Sequence, residues 1–174
     1  MENDVQHIIA LLRKGSPEGF RKTAVEFGPR IYALVYDIIG CRSESEEVTS
    51  DVLMQVFRSI DSFQPDKGSF LGWIMRIAHN AAISDLRRRN KMLSTEVIPE
   101  NIPAPTSEES DQTELVKNAI NKCSDAEREL IQLYYYDGLS LSEIAEIVSA
   151  SPPVLAVRLQ RIRKKIKQHI LNNG

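Results

Sequence analysis

The hydrophobic positions of this chain recur every three or four residues, which predicts α-helices and no β-strands. Four helices are predicted before residue 93, the third opened by Ser43 or Ser45 and the fourth covering about residues 69–90. A loop that contains Pro and Gly, at 61–69, precedes the fourth helix. The predicted apolar faces are Val5, Ile8, Ile9 and Leu12; Ile31, Leu34, Val35 and Ile38; Val48, Val52, Val56, Phe57 and Ile60; and Phe70, Ile74, Ile77, Ala81 and Leu86.

The last third of the chain predicts a helix-turn-helix. Ser124 with Glu127, and Ser140 with Glu143, form two S-x-x-E capping boxes, each of which marks the start of a helix. A final helix is predicted to follow Ser151, with a proline at its first position, where a missing N–H costs nothing. Its predicted core stripe is Leu155, Leu159, Ile162, Ile166 and Ile170.

The segment between these two helical parts is acidic and rich in Pro, Ser and Thr. Its acids, which stand without any Lys or Arg from 94 to 114, are Glu96, Glu100, Glu108, Glu109, Asp111 and Glu114. This composition favours an extended, flexible linker. We therefore predict an all-α protein with an N-terminal helical bundle over 1–93, a flexible linker over 94–112 and a C-terminal helix-turn-helix domain over 113–174.

The final helix concentrates positive charge in a chain whose net charge is −2. It carries no acid between Val157 and Gly174. A helix that buries one face and turns cations outward can neutralise the phosphates of DNA. The alternative interpretation is a solvated amphipathic helix, which the short helix and tight turn before it make less favourable.

The composition and the spacing of reactive residues exclude several classes of protein. No apolar run approaches the ~20 residues needed to cross a bilayer and the N-terminus lacks a signal-peptide pattern, so we expect a cytoplasmic protein without membrane insertion. Cys41 and Cys123 have no Cys or His nearby at metal-ligand spacing, so we expect no metal or cofactor. No paired carboxylates, phosphate loop or Ser-His-Asp set stands out, so we expect no enzymatic activity.

The order of motifs along the chain resembles that of bacterial RNA polymerase sigma factors. Region two of that family is similar to the segments EEVTSD (46–51) followed by Phe57, DSF (61–63), FLGWIMRIAHN (70–80) and DLRRR (85–89), and region four is similar to 124–170. Two such domains with only a linker between them resemble the extracytoplasmic-function (ECF) group. The resemblance covers about residues 19–170 and implies a non-enzymatic subunit that binds core RNA polymerase, recognises promoter DNA and promotes strand opening.

The resemblance implies that the acidic third helix docks on the coiled coil of the polymerase β′ subunit, within a wider contact with β′ and β. A cluster with more acids than helix capping needs also favours binding to a basic partner surface. The family often has Asp-Leu-Val-Gln-Glu where this chain has EVTSD at 47–51, so the chain departs from the pattern at Ser50. The implied core-binding residues are Glu46, Glu47, Ser50 and Asp51.

The resemblance also implies that the 61–69 loop and the fourth helix bind the minus-ten element as a separated strand. Aromatic rings beside cations can stack on bases, and a flipped base needs a pocket with hydrogen-bonding groups. Asn80 and the loop are the expected base readers; Phe63 and Phe70 fit a core better than a stacking surface, and Trp73 fits both equally. The implied minus-ten residues are Ser62, Phe63, Lys67, Trp73, Arg76, Asn80, Arg87, Arg88 and Arg89.

Region four is implied to read the minus-thirty-five element with its second helix in the major groove. The family commonly has Ser-Glu-Gly-Thr-Val-Lys-Ser-Arg-Leu where this chain has SPPVLAVRL at 151–159, so polar base readers are replaced by apolar residues. Apolar side chains can contact thymine methyl groups but form no hydrogen bonds to bases, and we expect weak or T-rich discrimination. The implied residues are Val154, Val157, Arg158, Gln160, Arg161, Arg163, Lys164 and Lys165.

Two other functions fit parts of the sequence. A sigma-like decoy would occupy an anti-sigma factor without supporting transcription, which suits the apolar start of the final helix. A dimeric helix-turn-helix repressor would bind duplex DNA alone, but the N-terminal half has a basic helix and an aromatic loop of its own. The resemblance further implies regulation by an anti-sigma factor that wedges between the two domains.

Overall fold

The helices of this chain form two separate units. The computed structural model describes residues 2–92 and 111–173, and the chain divides into Met1–Pro99 and Glu100–Gly174. No strand occurs in either described range, which confirms the all-α prediction. The linker predicted over 94–112 lies outside the described residues except for its last two positions.

The first unit is a bundle of four helices with the second helix at its centre. The helices are α1 (Glu2–Arg13), α2 (Pro17–Ile39), α3 (Arg42–Ser59) and α4 (Phe70–Met92). Two 3-10 turns, Ile60–Ser62 and Pro65–Lys67, lie in the connection from α3 to α4. α2 packs against each of the other three helices, and α3 also packs against α4.

Two glycines determine how α2 is placed. Gly40 ends the helix in the left-handed region, with φ +73°, and donates its N–H to the carbonyl of Tyr36 at 2.8 Å. Gly19 lies against α1, where a Cβ would stand 2.8 Å from the backbone nitrogen of Leu12 and 2.9 Å from the carbonyl carbon of Leu11. Only a residue without a side chain allows the two helices to approach this closely.

The core of the first unit combines aliphatic side chains with a cluster of aromatic rings. Phe70 lies edge to face with Phe27 and with Phe63, at centroid distances of 5.4 and 5.1 Å. The guanidinium of Arg13 donates to the backbone carbonyl of Phe63 at 3.3 Å, which ties α1 to the loop before α4. The fully buried aliphatic residues are Leu12, Ile31, Leu34, Val35, Val52, Val56, Ile74 and Met75.

α3 begins before both of the serines that were predicted to open it. The helix starts at Arg42, after Cys41, and Ser45 lies buried within it. The hydroxyl of Ser45 donates to the carbonyl of Cys41, the residue before the helix, at 2.7 Å, so it binds a carbonyl and caps no N–H. The prediction that Ser43 or Ser45 opens this helix is therefore wrong.

α4 buries a slightly different face from the one predicted. Phe70 and Ile74 are buried as expected, but Ile77, Ala81 and Leu86 are only half-buried. The positions that are buried in their place are Met75, Ala78, Ala82 and Asp85. The helix has apolar residues on two neighbouring stripes, and the stripe with two alanines lets it pack closely on its neighbours.

The second unit is built around its last helix. Its helices are α5 (Asp111–Asn121), α6 (Asp125–Ile131), α7 (Leu141–Val148) and α8 (Pro152–Asn173), and α6 continues into a π-turn at Gln132–Tyr136. α8 packs against α5, α6 and α7. Leu155, Leu159 and Ile162 are buried on its inner face as the sequence predicted, whereas Ile166 and Ile170 of the predicted stripe are only half-buried.

Both predicted capping boxes are present. The N–H of Ser124 donates to the Glu127 carboxylate at 2.8 Å while the Ser124 hydroxyl accepts from the Glu127 N–H at 3.4 Å. Ser140 and Glu143 form the same pair of bonds at 3.0 and 3.3 Å. Each box satisfies two N–H groups that the first turn of a helix leaves unpaired.

The turn between α7 and α8 has a backbone conformation that usually favours glycine. Ser149 ends α7 with φ +52° and ψ +46°, the single non-glycine residue with positive φ in the part of the chain that the structure describes. The carbonyl of Ser151 accepts from the Leu155 N–H at 3.1 Å, and α8 begins at Pro152 as predicted. α7, this turn and α8 together form a helix-turn-helix.

Candidate nucleic-acid interface

The outer face of α3 is acidic and exposed. Glu46, Glu47, Ser50 and Asp51 all lie on the surface, while Val48 and Val52 point inward. Glu46 pairs with Arg42 at 3.0 Å, and the Ser50 hydroxyl donates to the Glu46 carbonyl at 3.0 Å. Glu47 and Asp51 form no ion pair within the described residues.

The acidic face continues into a shallow groove one turn further along α3. The groove has a volume of about 410 Å³ and is lined by Asp51, Met54, Gln55, Arg58 and Ser59. Met54 is an exposed apolar residue between an acid and a base. An apolar centre with a charged rim is typical of a protein contact surface.

The aromatic residues near the loop are partly used by the core. Phe63 is 4% exposed, so its ring is not available to stack on a base, and its predicted role in the minus-ten contact is not supported by its position. Trp73 is half-buried, with its ring 5.5 Å from that of Phe63 and 5.7 Å from that of Phe70. Ser62 and Lys67 are exposed on the loop.

The outer face of α4 brings together several of the predicted DNA-binding residues. Arg76, Asn80 and Arg87 are exposed and follow helical spacing from Trp73, so they lie along one side of the helix. Ser84 is exposed one turn after Asn80 on the same side.

Arg89 was predicted to hold phosphate, but the structure places it in an internal ion cluster. Its guanidinium pairs with Asp85 one turn earlier and with Glu44 on α3. Arg88 also pairs with Asp85 and remains largely exposed. The prediction for Arg89 is corrected because two carboxylates lie within its reach, whereas Arg87 and Arg88 stay accessible.

The outer face of α8 carries two apolar residues followed by two cationic residues. Val154, Val157, Arg158 and Arg161 are exposed and follow the i, i+3, i+4, i+7 spacing of one helix face. Gln160 is exposed beside this stripe. The stripe lies beside the face of the buried core positions and is exposed, as a helix that enters a DNA groove requires.

The remaining cations of α8 differ in their surroundings. The Arg163 guanidinium donates to the Tyr135 hydroxyl at 2.5 Å and lies 5.7 Å from that ring, which raises the pKa of Arg163. Lys165 donates to the Glu127 carboxylate at 2.6 Å; this bond raises the pKa of Lys165 and lowers that of Glu127. Lys164 is exposed and forms no ion pair within the described ranges. The two tied cations therefore brace α8 against α6.

Tyr135 was not anticipated as part of this surface. It and Tyr136 are exposed at the π-turn that ends α6. The three consecutive tyrosines at 134–136 indicate an exposed aromatic residue, because a single helix face can bury only one of them.

Two kinds of feature are absent from the described residues. Within 2–92 and 111–173 no three His, Cys, Asp or Glu side chains are grouped so that they could hold a metal ion. In the same ranges no helix combines the length and apolar character that a membrane span requires.

Comparison with known proteins agrees with this arrangement. The chain matches the Sigma-70 region 2 family over residues 24–92 and the Sigma-70, region 4 family over residues 113–166. The ECF RNA polymerase sigma factor SigK of Mycobacterium sp. (strain KMS) is 30% identical over 142 residues, which cover 75% of this chain and 72% of that protein. The ECF RNA polymerase sigma factor SigW of Bacillus subtilis is 26% identical, and the match covers 98% of this chain and 98% of that protein.

A solved structure supports the fold independently. The sigma factor RpoE from Bartonella quintana, solved with the anti-sigma factor NepR, aligns with a TM-score of 0.71 at 22% identity, over 87% of this chain and 96% of that one. Sigma factors are regulatory subunits of RNA polymerase and act in promoter recognition. The two family matches, in the order found along the chain, and the SigK and SigW relatives show that this protein belongs to the ECF group of sigma-70 RNA polymerase sigma factors.

Proposed function

We propose that this chain docks on core RNA polymerase through the acidic face of α3 and specifies promoters through the outer faces of α4 and α8. The observation that carries the proposal is the presence of all three faces in one chain. A regulator that binds only duplex DNA needs a cationic helix-turn-helix but has no use for an exposed acidic face beside a second cationic helix.

The polymerase contact is assigned to the α3 face because its charges are available. Glu47 and Asp51 form no ion pair within the described residues, and Met54 offers apolar area beside them. Such a face fits a basic surface with an apolar ridge, and the family resemblance supports the coiled coil of the β′ subunit as its partner. Ser50 contributes less, because its hydroxyl already bonds to its own helix.

The minus-ten contact is assigned to the outer face of α4. Trp73 offers a partly exposed ring, Asn80 offers an amide for a base edge, and Arg76 and Arg87 flank them along the helix. These are the groups that capture a separated strand: a stacking surface, a hydrogen-bonding group and cations for the backbone. We assign base reading to Asn80 and the exposed loop residues around Lys67.

The minus-thirty-five contact is assigned to α8 in the major groove. Arg158 and Arg161 lie on its outer stripe, and Gln160 and Lys164 lie beside it. Arg163 and Lys165 play a smaller part in this contact because they also hold α6. The domain boundaries that accompany this assignment are 1–93 for the polymerase and minus-ten unit, 94–112 for the linker and 113–174 for the minus-thirty-five unit.

Regulation by an anti-sigma factor in the cytoplasm completes the proposal. The RpoE structure from Bartonella quintana contains such a factor, NepR, and its sigma chain shares the fold of this one. The same surfaces that bind polymerase would then be covered when the chain is held inactive. A decoy, which binds an anti-sigma factor but starts no transcription, is the second candidate, and the apolar start of α8 is the observation that favours it.

In-vitro transcription from a pool of promoter-length fragments, with core RNA polymerase and the full chain, tests the proposal. We expect initiation at a discrete motif, lost in Glu47→Lys because polymerase binding fails. Glu26→Lys is the matched control, since Glu26 is an exposed acid on α2 and not one of the acids of the α3 face. Asn80→Ala is expected to keep polymerase binding and lose strand opening.

Three results would contradict the proposal. Binding to an anti-sigma factor without initiation would favour the decoy. Duplex binding without any binding to core polymerase would favour a plain helix-turn-helix regulator. Equal loss of initiation in Glu47→Lys and Glu26→Lys would remove the assignment of polymerase docking to α3.

A further inference from the structure

The outer stripe of α8 begins with apolar residues that the fold does not require. Val154 and Val157 are 44% and 47% exposed, and Pro153 and Ala156 beside them are exposed as well. The buried core positions of α8 are Leu155, Leu159 and Ile162, so the exposed parts of these valines are not needed for the core of the unit. A contiguous exposed apolar patch of this kind marks a contact surface.

The cations that follow on the same face indicate nucleic acid as the partner. Arg158 and Arg161 continue the stripe at i+4 and i+7 from Val154, and neither forms an ion pair within the described residues. No Asp or Glu stands in the chain after Glu146. The major groove of DNA offers both complementary groups at once, phosphates for the cations and the C5 methyl group of thymine for the valines.

We propose that Val154 and Val157 read thymine methyl groups in the upstream promoter element, and that Arg158 reads the adjacent step. This inference rests on the proposed function and deepens it by naming the base preference. A valine side chain can neither donate nor accept a hydrogen bond, so at these positions the chain distinguishes thymine from bases that lack the methyl group. Arg158 can donate two hydrogen bonds to guanine, which adds a polar contact to a base edge beside the apolar ones.

The test removes single methyl groups from the DNA. Promoters are first selected by transcription with core polymerase and the full chain from fragments with a randomised upstream element. Each selected upstream thymine is then replaced by uracil, which keeps the hydrogen-bonding edge and lacks only the C5 methyl group. We expect initiation to fall about fourfold at each contacted position, the factor for returning one methyl-sized group to water.

Substitutions in α8 assign the contacts. Val154→Ala and Val157→Ala are each expected to abolish the difference between thymine and uracil at one position, while Val157→Thr, which keeps a methyl group, retains it. Leu171→Ala is the matched control, because Leu171 is an exposed apolar residue at the other end of the same helix. Far-UV circular dichroism confirms that each variant is folded.

The outcomes separate this inference from the function on which it rests. Initiation that is equal on thymine and uracil at every upstream position, with Val157→Lys also without effect, overturns the inference and assigns the patch to a protein partner, while the sigma function stands. Failure to initiate from any fragment overturns the proposed function and this inference with it. Loss of the uracil effect in Leu171→Ala as well as in the valine variants overturns the assignment to the outer stripe.

Discussion

Replacing Asp85 by asparagine tests how α3 and α4 are held together. Asp85 is 8% exposed and pairs with Arg88 and Arg89, and Arg89 also reaches Glu44 on α3. Asp85→Asn keeps the shape of the side chain but removes its charge, so Arg89 keeps Glu44 alone as a charged partner. We expect the first unit to lose stability.

The size of the loss follows from the exposure of each partner. The Arg88 side chain is 70% exposed, so its pair contributes at most about 1 kcal/mol. The Arg89 side chain is 20% exposed, and a hydrogen bond to a charged group in such a place contributes about 1.5–3 kcal/mol. Because Glu44 still balances Arg89 in the variant, we expect a total loss of about 2–3 kcal/mol.

The fluorescence of Trp73 provides a readout that is confined to the first unit. It is the single tryptophan of the chain, and its ring packs against Phe63 and Phe70, so its emission reports the state of this core. With an m value of about 1.5 kcal/mol/M, typical for a small unit, the loss lowers the urea midpoint by about 1.3–2 M.

The matched control is Glu18→Gln, which breaks the pair between Glu18 and Arg21 on the exposed side of α2. We expect no measurable change in the midpoint, because both partners are in water. If the Asp85→Asn midpoint is indistinguishable from that of Glu18→Gln, the ion cluster does not hold α3 to α4 and the reasoning is refuted.

Three further substitutions test other parts of the chain. Gly19→Ala places a Cβ 2.8 Å from the backbone of Leu12. Overpacking costs about 1–3 kcal/mol and outweighs a gain in helix propensity of about 1 kcal/mol, so we expect the variant to have a lower urea midpoint, measured by Trp73 emission. A higher midpoint would contradict the close approach of α1 and α2. Ser149→Gly relieves a left-handed backbone that costs about 1 kcal/mol, and we expect the far-UV melt of the second unit to shift upward; a downward shift contradicts this. The hydrogen bond from Lys165 lowers the pKa of Glu127, so this bond stabilises the fold above about pH 4.3, and its contribution is lost as the pH falls further. We therefore expect Glu127→Gln to lose less stability on acidification than the parent chain. Equal slopes of stability against pH would contradict this.

Local signals in the sequence predicted the elements of this fold well. The two capping boxes were readable because Ser124 and Ser140 act on residues three positions away, and such short-range bonds depend little on the rest of the molecule. The start of α8 was readable for the same reason, from Ser151 and the proline that follows it.

Contacts between distant parts of the chain could not be predicted in this way. Arg89 looked like one of three equivalent cations, and only the fold brings Glu44, 45 positions earlier, within its reach. The buried face of α4 depended on which of two apolar stripes meets α2 and α3. Ser45 resembled a cap by type and position, but α3 begins earlier, and the Ser45 hydroxyl donates to the carbonyl of Cys41.

The division of α8 into an inner and an outer face has a consequence for how such proteins diverge. Leu155, Leu159 and Ile162 secure the unit from one side of the helix, and Val154, Val157 and Arg158 occupy the other without contributing to that core. Under the proposed assignment of α8 to DNA, a gene duplicate could acquire new target sites through substitutions at the exposed positions while its thermal stability stays nearly constant. Each substitution at an exposed position can then reduce the overlap between the target sites of two duplicates without loss of their fold.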